Sequence, residues 1–104
     1  MDHPDSIRAA ANLAATYYQQ GRWEEAEKLE VDVLKRRTNL LGVDHPARIL
    51  AAANLAETYC KQHQWDKAEW LQMDVLDRRT KILGADHPST IIAAKRLAFI
   101  RTNR

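Results

Sequence analysis

The sequence repeats itself with a fixed period of 42 residues. The tripeptide Asp-His-Pro begins at positions 2, 44 and 86, so that each copy lies 42 residues after the one before it. A period of this length is typical of a solenoid, in which each unit buries its apolar face against its neighbours. Other segments recur with the same spacing, among them Asn12-Leu13-Ala14 with Asn54-Leu55-Ala56, Arg36-Arg37-Thr38 with Arg78-Arg79-Thr80, and Leu41-Gly42 with Leu83-Gly84.

The copies divide the chain into two complete repeats and the start of a third. We expect one domain over residues 1–104, with repeats at 2–43 and 44–85 and the first helix of a truncated third repeat at 86–104. A chain of 104 residues is long enough for a core but near the size at which burial becomes marginal.

Each repeat has the pattern of a helical hairpin. Pro suits the first turn of a helix, and the Asp before it suits the positive helix N-terminus. Gly42 and Gly84 fit the ends of the second helices, and no segment alternates as a strand does. We therefore predict an all-α fold of two helical hairpins and one terminal helix. The five predicted helices span about 5–20, 23–41, 47–62, 65–83 and 89–102.

Helical periodicity also predicts the core. Apolar residues of the first helices recur at i, i+3 and i+4, and the small alanines among them allow close helix packing. The predicted core residues are Ile7, Ala10, Leu13, Ala14 and Tyr17 with their counterparts Ile49, Ala52, Leu55, Ala56 and Tyr59, and, in the second helix, Trp23, Ala26, Leu29, Val33, Leu34, Leu40 and Leu41.

The repeated pattern Asn-Leu-Ala-x-x-Tyr, a short break, Trp-x-x-Ala-Glu and Val-Leu resembles the tetratricopeptide repeat. The 42-residue period and the ending Leu-Gly-x-Asp-His-Pro resemble its kinesin-light-chain type. Fungal NLR-like receptors and bacterial repeat proteins carry similar arrays. The resemblance covers nearly the whole chain and implies an α-α superhelix with a concave groove. It also implies a non-catalytic protein that binds a peptide or a partner protein, without a cofactor.

In tetratricopeptide domains the polar face of the first helices lines the groove. Asn is suited to hold the main chain of an extended peptide because its amide both donates and accepts hydrogen bonds. The alternative for Asn12 and Asn54 is a structural role, in which they bond helix to helix between repeats. The predicted binding residues are Arg8, Asn12, Gln19, Leu50, Asn54, Glu57, Lys61 and Arg96.

A sharper hypothesis follows from the same resemblance. Tetratricopeptide domains that bind chaperone tails clamp a C-terminal carboxylate with basic residues and asparagines. Arg8, Asn12, Asn54 and Arg96 match four of those five positions, but the fifth falls on Ile92, which cannot pair with a carboxylate.

Composition favours a protein partner over nucleic acid, membrane or substrate. The net charge is only +2, and acidic residues interleave the arginines, so we expect no nucleic-acid binding. No apolar stretch is long enough for a membrane span, and the first residues lack a signal-peptide pattern; we therefore expect an intracellular, cytoplasmic protein. The histidines of the Asp-His-Pro motifs lie too far apart to share a metal ion, and no nucleophile–base–acid set indicates an enzyme.

The sequence also predicts the surroundings of Cys60, Glu30 and Trp70, which lie outside the predicted groove. Cys60 is expected to be a semi-buried apolar residue, and the second-helix acids, including Glu30, to form a solvated face paired with nearby Lys and Arg. Trp70 has a Lys as its counterpart in repeat one, so it either contacts a partner or folds across its own hairpin.

The last predicted helix is apolar on several sides and would lack a second helix to cover it. We expect self-association through Leu97, Phe99 and Ile100, giving a homo-oligomer or a self-assembling repeat as the alternative function.

Overall fold

The computed structural model describes residues 4–104, all of whose regular elements are α-helices. The predicted boundaries are correct to within one residue, and the all-α fold is confirmed. Asp2 and His3 of the first motif lie outside the described residues. The helices are α1 Pro4–Gln19, α2 Trp23–Leu41, α3 Pro46–Lys61, α4 Trp65–Leu83 and α5 Pro88–Asn103.

The Asp-His-Pro motif starts a helix through its histidine. The Nδ1 atoms of His45 and His87 accept hydrogen bonds from the backbone N–H groups of Ala47 and Ser89, each at 3.0 Å. Pro follows at the first helical position, where its missing N–H costs nothing. Asp44, expected to favour the helix start, precedes the N-cap residue His45, and its carboxylate pairs with Arg78 on α4 at 2.6 Å.

The turn inside each hairpin has a residue in the left-handed region. Gly21 occupies it in repeat one with φ 75°, and His63 occupies the same place in repeat two with φ 58°. In both repeats the next N–H closes the helix end: Arg22 donates to the Tyr17 carbonyl and Gln64 to the Tyr59 carbonyl, each at 2.9 Å. His63 also stacks on the Trp65 ring, 5.6 Å away. The turn therefore keeps its shape without glycine.

Each helix packs chiefly against its neighbours in sequence, as in a solenoid. Small residues make this approach close: Ala26, Ala52, Ala56 and Ala68 are completely buried. An ion-pair network also ties repeat two together, since Asp74 on α4 binds Arg48 of α3 at 2.6 Å and Arg78 at 2.9 Å.

The core predictions fail at positions where no neighbouring helix arrives. Leu13 is 44% exposed, although Leu55 at the equivalent position is 3% exposed. The reason is that α3 packs between α2 and α4, whereas α1 packs chiefly against α2 alone. Leu40 and Leu41, at the end of α2, are also exposed rather than buried as predicted.

Candidate functional site

A cavity of about 140 Å³ lies between the first helices of repeats one and two. Helix α1 forms one wall, α3 forms the other, and α2 closes the space between them. Much of the lining is alanine, whose small side chains leave the space open. The lining residues are Ala11, Ala14, Ala15, Tyr18 and Gln19 from α1, Glu30, Val33 and Arg37 from α2, and Ala51, Asn54 and Glu57 from α3.

Three predicted binding residues, Gln19, Asn54 and Glu57, line this cavity together. Gln19 and Asn54 are exposed and mark its mouth, while Glu57 is half-buried. A fourth predicted residue, Arg96 on α5, reaches Glu57 with an ion pair of 3.2 Å. The other predicted residues are exposed but do not line the cavity: Arg8, Asn12, Leu50 and Lys61.

Glu57 is the centre of a polar network that links the three first helices. Its carboxylate accepts a hydrogen bond from the Tyr18 hydroxyl on α1 and pairs with Arg96 on α5. Burial and the hydrogen bond to Glu57 raise the pKa of Tyr18, so this phenol stays protonated. Because Arg96 is already engaged by an acid of the groove, the geometry does not support the carboxylate clamp.

The two asparagines are available to a ligand. Asn12 and Asn54 are both exposed, and within residues 4–104 neither side-chain amide is hydrogen-bonded. The hydroxyls of Thr16 and Thr58, one turn later, donate to the backbone carbonyls of Asn12 and Asn54 at 3.1 and 3.3 Å and leave the side-chain amides unused. The helix-to-helix bonding that a structural role would require is therefore absent from the described chain.

Glu30 is the site residue that the sequence prediction missed. The sequence pattern predicts that Glu30 lies on a solvated helix face, but its exposure in the structure is only 8%. Its Oε1 accepts a hydrogen bond of 2.5 Å from the Thr58 hydroxyl. Burial, together with Glu57 and Glu27, raises its pKa to about 7, while the Thr58 hydrogen bond acts in the opposite direction. The sequence does contain a pattern that indicates this burial. Ala26, Glu30 and Val33 have the i, i+4, i+7 spacing of one helix face, and this is the buried face of α2.

The residues predicted to make contacts outside the groove differ in their exposure to solvent. Trp70 is 77% exposed, so the alternative in which it folds across its hairpin is wrong. Leu97 and Ile100 are buried within the chain, where Ile100 packs with Cys60 and Ala68, so the surface of the folded chain does not present them for self-association as predicted. Phe99 remains 55% exposed beside Trp65.

The lone cysteine, possible metal ligands and possible membrane spans can be compared with the structure over residues 4–104. Cys60 is buried as predicted, and burial raises the pKa of its thiol. Across residues 4–104, no three His, Cys, Asp or Glu side chains are grouped to hold a metal ion. No helix in this range is long and apolar enough to cross a membrane.

Comparison with known proteins identifies the repeat. One tetratricopeptide repeat family model matches residues 6–47, and another matches residues 48–102. No curated protein matches the chain.

Solved structures of kinesin-light-chain type share the fold. A crystal structure of kinesin light chain TPR-like repeats from Podosopora anserina superposes with a TM-score of 0.85 at 30% identity, covering 98% of this chain and 48% of that one. A variant of the same protein gives 0.85 at 27% identity, with the same coverage. BtubC from P. vanneervenii is alike in fold alone, with a TM-score of 0.85 at 17% identity, covering 92% of this chain and 38% of that one. The chain thus spans less than half the length of these relatives.

Proposed function

Because the chain belongs to the tetratricopeptide repeat family, we propose that it binds an extended peptide segment of a cytoplasmic partner protein, without catalysis, in the groove between its first helices. Repeats of this family mediate protein–protein interaction. The groove is defined here by the cavity between α1 and α3 and by the exposed polar residues on either side of it, from Arg8 and Asn12 to Lys61.

The observation that carries the proposal is the pair of exposed amides at equivalent positions of the two repeats. Asn12 and Asn54 present a donor and an acceptor each, and neither group is used within the described chain. Amides at a repeated spacing suit the main chain of a peptide, which offers a donor and an acceptor at regular intervals. Side-chain preference would then come from the cavity beside Asn54.

The test is a peptide-binding screen with matched variants. Peptides selected from a displayed random library are measured by calorimetry against the wild type, Asn12→Ala/Asn54→Ala and the control Asn39→Ala, which removes an exposed amide from α2. We expect the double variant to weaken binding at least about tenfold, since each lost hydrogen bond contributes on the order of 1 kcal/mol. The control should bind as the wild type does.

Circular dichroism separates this result from unfolding. Helicity of the double variant should equal that of the wild type, because the two amides bond to nothing in the fold. A double variant that unfolds would instead support the structural role of the asparagines. Unchanged affinity in a folded double variant would overturn the proposed groove.

Self-association is the second candidate function, and a specific observation favours it. Helix α5 exposes three large apolar side chains, Ile91, Ile92 and Phe99, and the Phe99 ring is edge-on to Trp65 at 6.1 Å. Several large apolar side chains exposed on one helix favour a protein-contact surface. A second copy of the chain is one molecule that could cover them.

A further inference from the structure

Glu30 is a buried carboxylate without a cation. It is 8% exposed, and no Lys, Arg or His of the described chain forms an ion pair with it. Thr58 donates to Oε1, while Oε2 accepts no hydrogen bond within residues 4–104. Buried charges are costly unless they are paired and hydrogen-bonded. Glu30 also lines the cavity, so a group that enters from the groove can reach it.

The cavity has the dimensions and lining of a slot for an unbranched side chain. Its volume of about 140 Å³ is on the order of ten times what one water molecule needs. The walls between its exposed mouth and Glu30 are mainly apolar, formed by Ala11, Ala14, Ala15, Ala51 and Val33. Two acids line the cavity, but Glu57 is already hydrogen-bonded by Tyr18 and paired with Arg96, which leaves Glu30 as the acid without a cation. Apolar walls beside such an acid fit an aliphatic stem with a charged end.

We propose that this slot takes a lysine side chain of the bound peptide, with the methylene stem between α1 and α3 and the ammonium group against Glu30. The proposal rests on the peptide-binding function proposed above and adds the residue class that it selects. The ammonium would supply the missing donor to Oε2 and the missing positive charge. At the mouth, the oxygens of Gln19 and Asn54 offer further acceptors.

The next repeat interface of the same chain serves as an internal comparison. One period after Glu30 stands Gln72, whose Nε2 donates 3.1 Å to the Ala93 carbonyl. The Gln72 amide therefore donates a hydrogen bond, which a carboxylate cannot do, and it carries no charge. Glu57 and Asn54 are likewise replaced, by Phe99 and Arg96. The acidic slot is thus specific to the first interface, although the backbone repeats.

Lysine suits the slot better than arginine. A primary ammonium is a compact charge on a flexible stem, whereas a guanidinium is a planar fork that is best matched by an accessible carboxylate. Only one oxygen of Glu30 is unoccupied, because Thr58 holds the other. The basic residue that shares the cavity, Arg37, donates instead to the Ala47 carbonyl at 3.3 Å.

Binding of a cation should depend on the charge of Glu30. Burial raises its pKa to about 7, so the carboxylate is partly protonated near neutral pH. Protonation removes the charge that attracts the ammonium, so affinity should rise with pH. The charged and titratable groups that face Glu30 or share its cavity are Tyr18 from α1, Glu27 and Arg37 from α2, Glu57 and Tyr59 from α3, and Arg96 from α5 through Glu57.

The test uses n-butylammonium, the end of a lysine side chain, as the probe. NMR follows the side-chain carboxyl carbon of Glu30 in the full chain during titration, with 1-pentanol as the neutral probe of similar length. We expect a saturating shift with n-butylammonium that 1-pentanol does not produce. Its affinity should rise about tenfold from pH 6 to pH 8, because only the ionised fraction of Glu30 binds the probe.

Two variants complete the experiment. Glu30→Gln installs the residue found in the second interface and should lose both the binding and its pH dependence. Glu24→Gln removes an exposed acid from the first turn of the same helix and should behave as the wild type. Equal shifts from both probes, no shift from either, or binding by Glu30→Gln would overturn the lysine slot. If Glu30→Gln does not fold, the pH dependence of the wild type decides the matter alone.

The n-butylammonium titration distinguishes failure of the lysine slot from failure of the peptide groove. A library that yields no binding peptide would contradict the groove, while n-butylammonium would still report on the slot. Peptides that bind through Asn12 and Asn54 but tolerate replacement of every lysine by norleucine would overturn the slot and leave the groove intact.

Discussion

At the scale of the residue, equivalent positions of the two repeats carry side chains that differ in charge and in hydrogen bonding. Glu30 and Gln72 occupy the same place in successive repeats, and both are buried. Gln72 is neutral and donates to a carbonyl of the next helix, whereas Glu30 depends on Thr58 for its one hydrogen bond. Thr58 is completely buried, so this pair joins α2 to α3 inside the protein.

We predict that Glu30 makes the protein less stable as the pH rises. Its pKa is raised in the folded chain from 4.5 to about 7, so the folded state holds this proton more tightly than the unfolded state. The stabilisation is fully present below about pH 4.5 and is lost as the pH rises through 7. Between these limits the wild type should lose roughly 3 kcal/mol more free energy of unfolding than Glu30→Gln.

Urea unfolding of both proteins over this pH range measures the difference. Titrations shared by the two proteins cancel in the comparison, and Glu24→Gln should follow the wild type. Parallel stability curves for the wild type and Glu30→Gln would show that Glu30 titrates normally.

At the scale of the element, local signals determine where helices begin and end. The starts of the helices coincide with Asp-His-Pro or Trp and the ends of α2 and α4 with Gly, all recurring at the period of 42, and the predicted spans hold to within one residue. What the motif does not reveal is which side chain caps the helix. Asp is a frequent N-cap residue, but His45 and His87 occupy the N-cap positions, one residue before Pro.

We predict that the imidazole caps stabilise α3 and α5. Replacing His45 or His87 by Ala removes the acceptor for one helical N–H and should cost about 1 kcal/mol at each site. Asn can accept the same hydrogen bond, so His45→Asn and His87→Asn should retain most of the stability. Urea denaturation provides the free energies. Equal losses for the Ala and Asn variants would mean that the imidazole acts through packing and not as a cap.

At the scale of the whole molecule, position in the stack decides burial. Leu13 and Leu55 are the same residue in the same motif, yet only Leu55 has a helix on each side. The same reasoning applies to α5, whose inner face buries Ala93, Leu97 and Ile100 while Ile92 and Phe99 face outward. The neighbours of a helix therefore decide which of its apolar residues are buried.

We predict that the protein self-associates through α5. Light scattering should show a mass that increases with protein concentration, and Phe99→Glu should reduce the association because it places a charge on the exposed apolar face. Trp70→Glu is the comparison variant, since it places the same charge at an exposed aromatic residue of a different helix, α4. Loss of association in the comparison variant alone would place the contact at Trp70. A monomer at every concentration would contradict self-association.

The sequence by itself determined the helices, the hairpin order and the family, because these follow from a period of 42 residues and from residues that act locally. Helical spacing also placed Asn54 and Glu57 on one face of α3, and the resemblance to the tetratricopeptide repeat implied that this face and that of Gln19 on α1 line one groove. The tertiary structure decided the rest. Only the packing of α1 and α3 around α2 buries Glu30, opens the cavity beside it and pairs Glu57 with Tyr18 and Arg96. Burial and pairing across helices depend on which helix arrives next to a residue, and this information is not local.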